Sequence, residues 1–415
     1  MNNLINLALL LFGAKVGGVI FSKLKQPSIV GELVAGIILG PSILALVGPS
    51  NLLTVVSDLG LLFLILLVSL SIDWKILEGS TEKYVWIEIM RIAVTFGLVY
   101  GVMMVFSWSI YTFMVAGFIM VMSSTAIVSR TLNDTNNMHT KEGQSLMCIE
   151  VVDKVFAIIA VALLAHMMAG QAITIEPMIT TILVVVGLFV VMSRVGTKFI
   201  NRLTGSIQKY GIEEALLAFT LLLAFSLGGM TESLNLASVL GVFMAGMILS
   251  RSAQFPVITR KVKEIGESFF IPIFFASVGL TINLYAAMQY ANVIVMLVGI
   301  IVTVKMATSM IVLRFFHYQT EQSVKIGSGL VSMSEMTIVI AALAVSKLSP
   351  AIYVGLIASF LIINMISPLF MNFAFRNGLS SFIKFASWMS PQRDKWKVYK
   401  HARAYSAKSI PKNNE

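Results

Sequence analysis

Glu150, Asp153 and Lys154 stand within five residues of one another inside SLMCIEVVDKVFAIIAVALLA, a segment that is otherwise apolar. Acids and an amine at this spacing can hold a small cation or a proton, because a carboxylate binds either and a nearby ammonium competes for the same oxygens. At about 100° per residue, Lys154 lies roughly 40° to one side of Glu150 and Asp153 roughly 60° to the other, so all three share one helix face. A lone ionised side chain at the bilayer centre costs about 2.5–3.5 kcal/mol on insertion scales, so a face carrying three must point into the protein. Glu150 and Lys154 stand at i and i+4 with the acid first, which predicts a neutralising pair within the helix. That leaves Asp153 as the remaining acid of the face, free to take up a cation or a proton.

The elements that position these residues are membrane spans. Of the 415 residues, 57% are hydrophobic and only 12% charged, with a mean hydropathy of +0.89. That excludes an ordinary soluble domain and predicts an all-α polytopic membrane protein. Apolar runs of spanning length fall at 3–22, 28–47, 53–72, 84–107, 110–132, 141–168, 175–193, 212–230, 234–250, 266–283, 291–314, 322–346 and 351–375, 13 in all. Basic residues support this independently: 25 of the 30 Lys and Arg fall in alternate connections or in the C-terminal tail. By the positive-inside rule the N-terminus is outside and the C-terminus cytoplasmic, as an odd number of spans requires.

Two segments, VGELVAGIILGPS from Val30 and LGVFMAGMILSRS from Leu240, match at one offset of 210 residues, Gly31 with Gly241 and Gly36 with Gly246. The offset persists between Val68 and Val278 and between Ser124 and Ser334. The span count gives the two halves opposite orientation, so the expectation is an inverted repeat, with an ion site near mid-membrane at two discontinuous helices. Ser123, Ser124 and Thr125 interrupt one apolar run, and Ser332, Ser334, Glu335 and Thr337 interrupt its repeat mate. Hydroxyls can satisfy backbone groups freed where a helix unwinds, and freed oxygens can ligate a dehydrated cation.

QPSIVGELVAGIILGPSIL, MSSTAIVSRTL, IPIFFASVGLTINL, VKMA and SMSEMTIVIAALA together resemble the monovalent cation/proton antiporters of the second major group, which includes NapA-type Na⁺/H⁺ exchangers and Kef-type membrane domains. The resemblance covers roughly residues 5–375. It implies the Na⁺/H⁺ antiporter fold, a homodimer through the early helices, an elevator-like core, and exchange of Na⁺, K⁺ or Li⁺ for protons by alternating access. It implies that Asp153, with Ser123, Ser124 and Thr125, binds the ion or proton, that Lys305 is the coupling partner, and that Glu335 serves the second crossing helix. The departure is Lys154, which stands where the family places its second Asp. Three registers stay open: Asp153 in the first place with Lys154 in the second, Asp153 shifted into the ion-binding place, or Glu150 as a relocated carboxylate. The alternatives are a proton-coupled carrier of an anionic solute using Lys154 and Lys305, and a channel or sensor retaining the fold.

The remaining charges read more simply. Glu88 and Arg91, at i and i+3, read as a structural bridge, and Glu32 and Glu267 as acids near helix ends that meet water. Gly13/Gly17, Gly36/Gly40 and Gly97/Gly101 have the spacing of close helix contacts. The four histidines show no ligand spacing, so no metal beyond a transported cation and no cofactor are expected. With no phosphate-binding glycine loop or nucleophile triad, the chain is not expected to be an enzyme. The net charge of +10 reports orientation and affinity for anionic lipid rather than nucleic acid. Residues 1–378 are expected to form one transmembrane domain in the cell (inner) membrane, and 379–415 a basic cytoplasmic tail.

Overall fold

The computed structural model describes residues 3–24, 26–48, 50–71, 81–168, 187, 213–233, 238–252 and 254–389. Apart from Gly187, the expected span at 175–193 lies outside the described residues, as does the tail from residue 390. Helix occupies the other twelve expected runs: α1 Asn3–Lys23, α2 Ser28–Leu39, α3 Asn51–Leu70, α4 Thr81–Phe106, α5 Ile110–Val121 with α6 Thr125–Asp134, α7 Lys141–Met168, α8 Glu213–Ser233, α9 Ser238–Ser250, and onward through the C-terminal half. There α10 Phe255–Ile265 runs through a π-helical turn, Gly266–Phe270, into α11 Ile271–Leu280. After the short α12 Leu284–Gln289 come α13 Ala291–Phe315, α14 Thr320–Leu330, α15 Met336–Leu343 and α16 Pro350–Met389, the last continuing past the domain boundary expected at 378. Seven described stretches are long and apolar enough to cross a membrane, among them the interrupted 110–134. The chain is a multi-pass membrane protein.

Local sequence sets the helix ends. Ser50 caps α3, its Oγ accepting from the Leu53 amide at 3.4 Å, and Ser109 caps α5, accepting from the Thr112 amide at 3.2 Å. A reciprocal capping box between Gln319 and Gln322 opens α14.

The helices pack into two bundles that touch each other sparingly. The first, a panel, joins α1, α2, α3, α8, α9, α10 and α11; the second, a core, joins α4 to α7 and α13 to α16. The panel is drawn tight by glycine. A side chain at Gly17 would meet the Gly31 carbonyl and one at Gly31 the Gly17 carbonyl, while one at Gly36 would meet the Ala276 carbonyl, so α1, α2 and α11 pack backbone to backbone. Gly97 and Gly101 do otherwise: among the described residues nothing lies within 4 Å of either Cβ position, and the close contact that their spacing predicts is not made there. Across the seam, α7 meets α9 and α11 meets α15, and the Thr281 hydroxyl lies 2.9 Å from that of Tyr353.

Candidate ion site at the first broken helix

The helix interrupted at 122–124 presents two opposed half-helix ends. Met122 (φ −77°, ψ 139°) and Ser124 (φ −99°, ψ 103°) are extended, so the last carbonyls of α5 and the first amides of α6 lack helical partners. A helix C-terminus attracts cations and an N-terminus anions, and both ends are met accordingly. Lys305 Nζ, from α13, donates to the Met122 carbonyl at 2.5 Å and the Met120 carbonyl at 3.3 Å. Arg91, from α4, donates to the Val121 carbonyl at 2.9 Å and pairs with Glu88 one turn earlier. On the other side, Asp153 Oδ2 accepts from the Ser123 amide at 2.7 Å and from its hydroxyl at 2.9 Å. Glu150 Oε2 accepts from the Thr125 hydroxyl at 2.9 Å.

The three carboxylates and two cations are buried and interact electrostatically as one cluster. If all are ionised, one negative charge is uncompensated. It has a place to reside, because Glu150 Oε1 and Asp153 Oδ1 are buried and accept no hydrogen bond. Groups of this kind are costly to leave bare in a membrane interior, and they mark where a small cation or proton can be taken up.

A cavity of about 1140 Å³ between the bundles reaches this site. Thr125 and Lys154 line its core side, Glu335 stands at the N-terminus of α15 nearby, and Glu32 and Ser71 line the panel side. Glu150, bonded to Thr125, and Asp153, bonded to Ser123, are buried and do not line it.

The structure therefore brings together Ser123, Thr125, Glu150, Asp153 and Lys305, as the sequence implies, with two changes of partner. Glu150 and Lys154 do not form the expected pair. The Thr125 hydroxyl and the N-terminus of α6 draw Glu150 inward, while Lys154 extends to the cavity, where water can solvate its ammonium, and hydrogen-bonds Ser71 Oγ at 3.1 Å. Nor does Lys305 contact Asp153 as an ion pair within 4.0 Å. The freed carbonyls of α5 hold its ammonium instead, and its influence on Asp153 is exerted through space. Ser124 turns its hydroxyl back to cap α6, accepting from the Ile127 amide at 3.5 Å, so it organises the break rather than facing the carboxylates. Glu88 and Arg91 form the bridge that sequence predicts, and that bridge belongs to the site. Two opposite charges in mid-span were the available signal; their proximity to α5 was not readable from spacing.

The second interruption, at 331–335, meets the first directly, as the Ser124 amide donates to Ser332 Oγ at 3.0 Å. Its backbone is closed by a neutral side chain, while its acid, Glu335, lines the cavity. Asn364 of α16 accepts from the Met333 amide at 2.8 Å and donates to the Met333 carbonyl at 2.9 Å.

Residues 8–374 match the family profile described as sodium/hydrogen exchanger, transmembrane. The chain belongs to this exchanger family. Among its relatives are the Na⁺/H⁺-K⁺ antiporter GerN of Bacillus cereus, 26% identical over 89% of this chain and 95% of that protein, and the probable Na⁺/H⁺ antiporter GerT of the same organism, 26% identical over 81% and 89%. Its fold matches that of the sodium proton antiporter MjNhaP1 from Methanocaldococcus jannaschii, with a TM-score of 0.68 and 15% identity over 91% of this chain and 99% of that one. The two broken helices are thus set within an exchanger fold, and membership places the chain among transporters.

Proposed function

We propose that this exchanger-family protein trades a monovalent cation, Na⁺ first and K⁺ or Li⁺ after it, for protons by alternating access, with Glu150 and Asp153 as the shared site. The observation that carries the proposal is the pair of unpartnered, buried carboxylate oxygens at the N-terminus of α6. One uncompensated negative charge matches one monovalent cation or one proton, and either brings the cluster to neutrality. Because both compete for the same oxygens, loading one expels the other, and that exclusion couples the two fluxes. Ser123 and Thr125 hold the second oxygen of each acid and offer hydroxyls as further ligands. Lys305 and Arg91 keep the cluster from carrying more than one excess negative charge when empty. The names of GerN and GerT, one with K⁺ and both with Na⁺, support this cargo.

In this reading the core bundle carries the site against the panel, and the sparse seam between them is where movement occurs. The N-terminus is outside and the C-terminus cytoplasmic in a cell membrane, so the cavity opens toward the cytoplasm, beside the basic connections at Lys23 and Arg260. The chain pairs as a homodimer through its early helices, rests its basic tail on anionic lipid, and its halves are inverted repeats. Glu335, at the cavity beside α15, is the acid of the second crossing. A carrier of anionic solutes built on Lys154 and Lys305 gains no support, since Lys305 faces carbonyl oxygens rather than the cavity lining.

The test is proton flux in proteoliposomes holding a pH dye, with pulses of Na⁺, K⁺ and Li⁺. Wild type is expected to move protons in response to at least one cation. A folded, correctly inserted protein that is silent to all three would overturn the reading.

A further inference from the structure

On the panel wall of the cavity lies an acid that the exchange mechanism does not use. Glu32, on α2, is 6% exposed, and its Oε2 is buried without a hydrogen bond. It is not at a water-washed helix end, as its sequence position suggested, but it does line the cavity that leads to Thr125 and Lys154. The fold makes room for it: a Cβ at Gly18 would lie 3.2 Å from Glu32 Oε1. The neighbouring cation is engaged elsewhere, since Lys15 Nζ donates to the Glu267 carbonyl at 2.5 Å and makes no ion pair with Glu32 within 4.0 Å.

The cavity around it is a poor entrance for a cation. Lys15, Lys23, Lys154, Arg260 and Lys263 stand against Glu264, Glu267 and Glu335, so without Glu32 the lining carries two excess positive charges, which lower the local concentration of positive ions. A buried carboxylate with an unpartnered oxygen offsets that locally.

We infer that Glu32 is a second, stationary cation-binding station on the panel, which holds the incoming monovalent cation before it passes Thr125 to Glu150 and Asp153. The inference rests on the exchange reading above for its cargo. The station belongs to the bundle that does not carry the ion site, so it loads the core without moving with it. It sets the concentration at which the cation saturates the exchanger and leaves the rate of the loaded core unchanged.

Two measurements test this. In Na⁺ titrations of proton flux, Glu32→Gln is expected to raise the half-saturating Na⁺ concentration about fivefold or more, with the saturating rate within about twofold of wild type, and Glu32→Asp to recover part of the shift. An unchanged half-saturation, or a collapsed saturating rate at unchanged half-saturation, would mark Glu32 as a packing residue and overturn the inference. Should Glu32→Gln fail to fold, Glu32→Asp alone carries the titration, with a shift of about twofold or more. The second measurement needs no exchange: radioactive Na⁺ binding to purified Asp153→Asn protein. Weak binding that Glu32→Gln abolishes supports the station even if exchange is absent. Binding that is absent, or indifferent to Glu32→Gln, overturns it even if wild type exchanges normally.

Discussion

The two interrupted helices are built alike and finished differently. Both break at a Ser-rich stretch, both sit at places related by the same sequence offset, and each touches the other through Ser124 and Ser332. At the second break an amide side chain, Asn364, closes both backbone groups of Met333, and the polar atom left unpaired beside it is the neutral hydroxyl of Thr337. At the first break two cations and two carboxylates take the place of that amide. Neutral closure satisfies the backbone at Met333 without adding charge there, and Glu335, the acid of that break, lines the cavity instead. Charged closure leaves oxygens open and an imbalance of one charge, which is what a carrier needs at the point where its cargo binds. An unwound helix alone is thus not a site; the charge of the groups that satisfy it decides.

The largest effect that would sharpen this contrast comes from the carboxylates. Asp153→Asn and Glu150→Gln are each expected to reduce cation-driven proton flux to the level of protein-free vesicles, since either change removes the excess charge. Full activity in Asp153→Asn would break the comparison. Next is the Arg91 bridge. Arg91→Met leaves Glu88 and the Val121 carbonyl buried without partners, a loss of about 3–5 kcal/mol, visible as a lowered unfolding temperature of the purified protein. Adding Glu88→Leu recovers most of that stability, because an apolar pair replaces a buried ion pair at little cost. At the neutral break, Asn364→Ala costs about 1–3 kcal/mol for the unpaired Met333 amide and carbonyl. Its half-saturating cation concentration should stay at the wild-type value, which a second ion site there would not allow. Smallest is Lys154→Gln, which removes a partly solvated charge from the vestibule. Flux persists, with half-saturation lowered by a change of about 1 kcal/mol or less.

Much of this was legible in residue patterns. The apolar runs gave the spans, and hydroxyl clusters at Ser123 and Ser334, repeated at one offset, located both breaks. Asp153 and Glu150 were evident as acids on an inward helix face. What patterning could not supply was the competition for each charge. Glu150 and Lys154 have ideal spacing for each other, yet a threonine hydroxyl from a different helix and a hydrated cavity outbid that pairing. Lys305 likewise prefers carbonyls that exist as acceptors only because α5 ends where it does. Arg91 is drawn to the neighbouring Val121 carbonyl for the same reason. Partners created by a break are invisible to spacing rules, which assume continuous helices.

The central claim is that cation and proton compete for the same two carboxylates. It is tested most directly by the half-saturating Na⁺ concentration of wild-type proteoliposomes, measured across a range of pH. Competition predicts that it rises as pH falls, approaching about tenfold per pH unit where the site is protonated when empty, with the saturating rate little changed. A half-saturation that holds constant while only the saturating rate responds to pH would contradict a shared site.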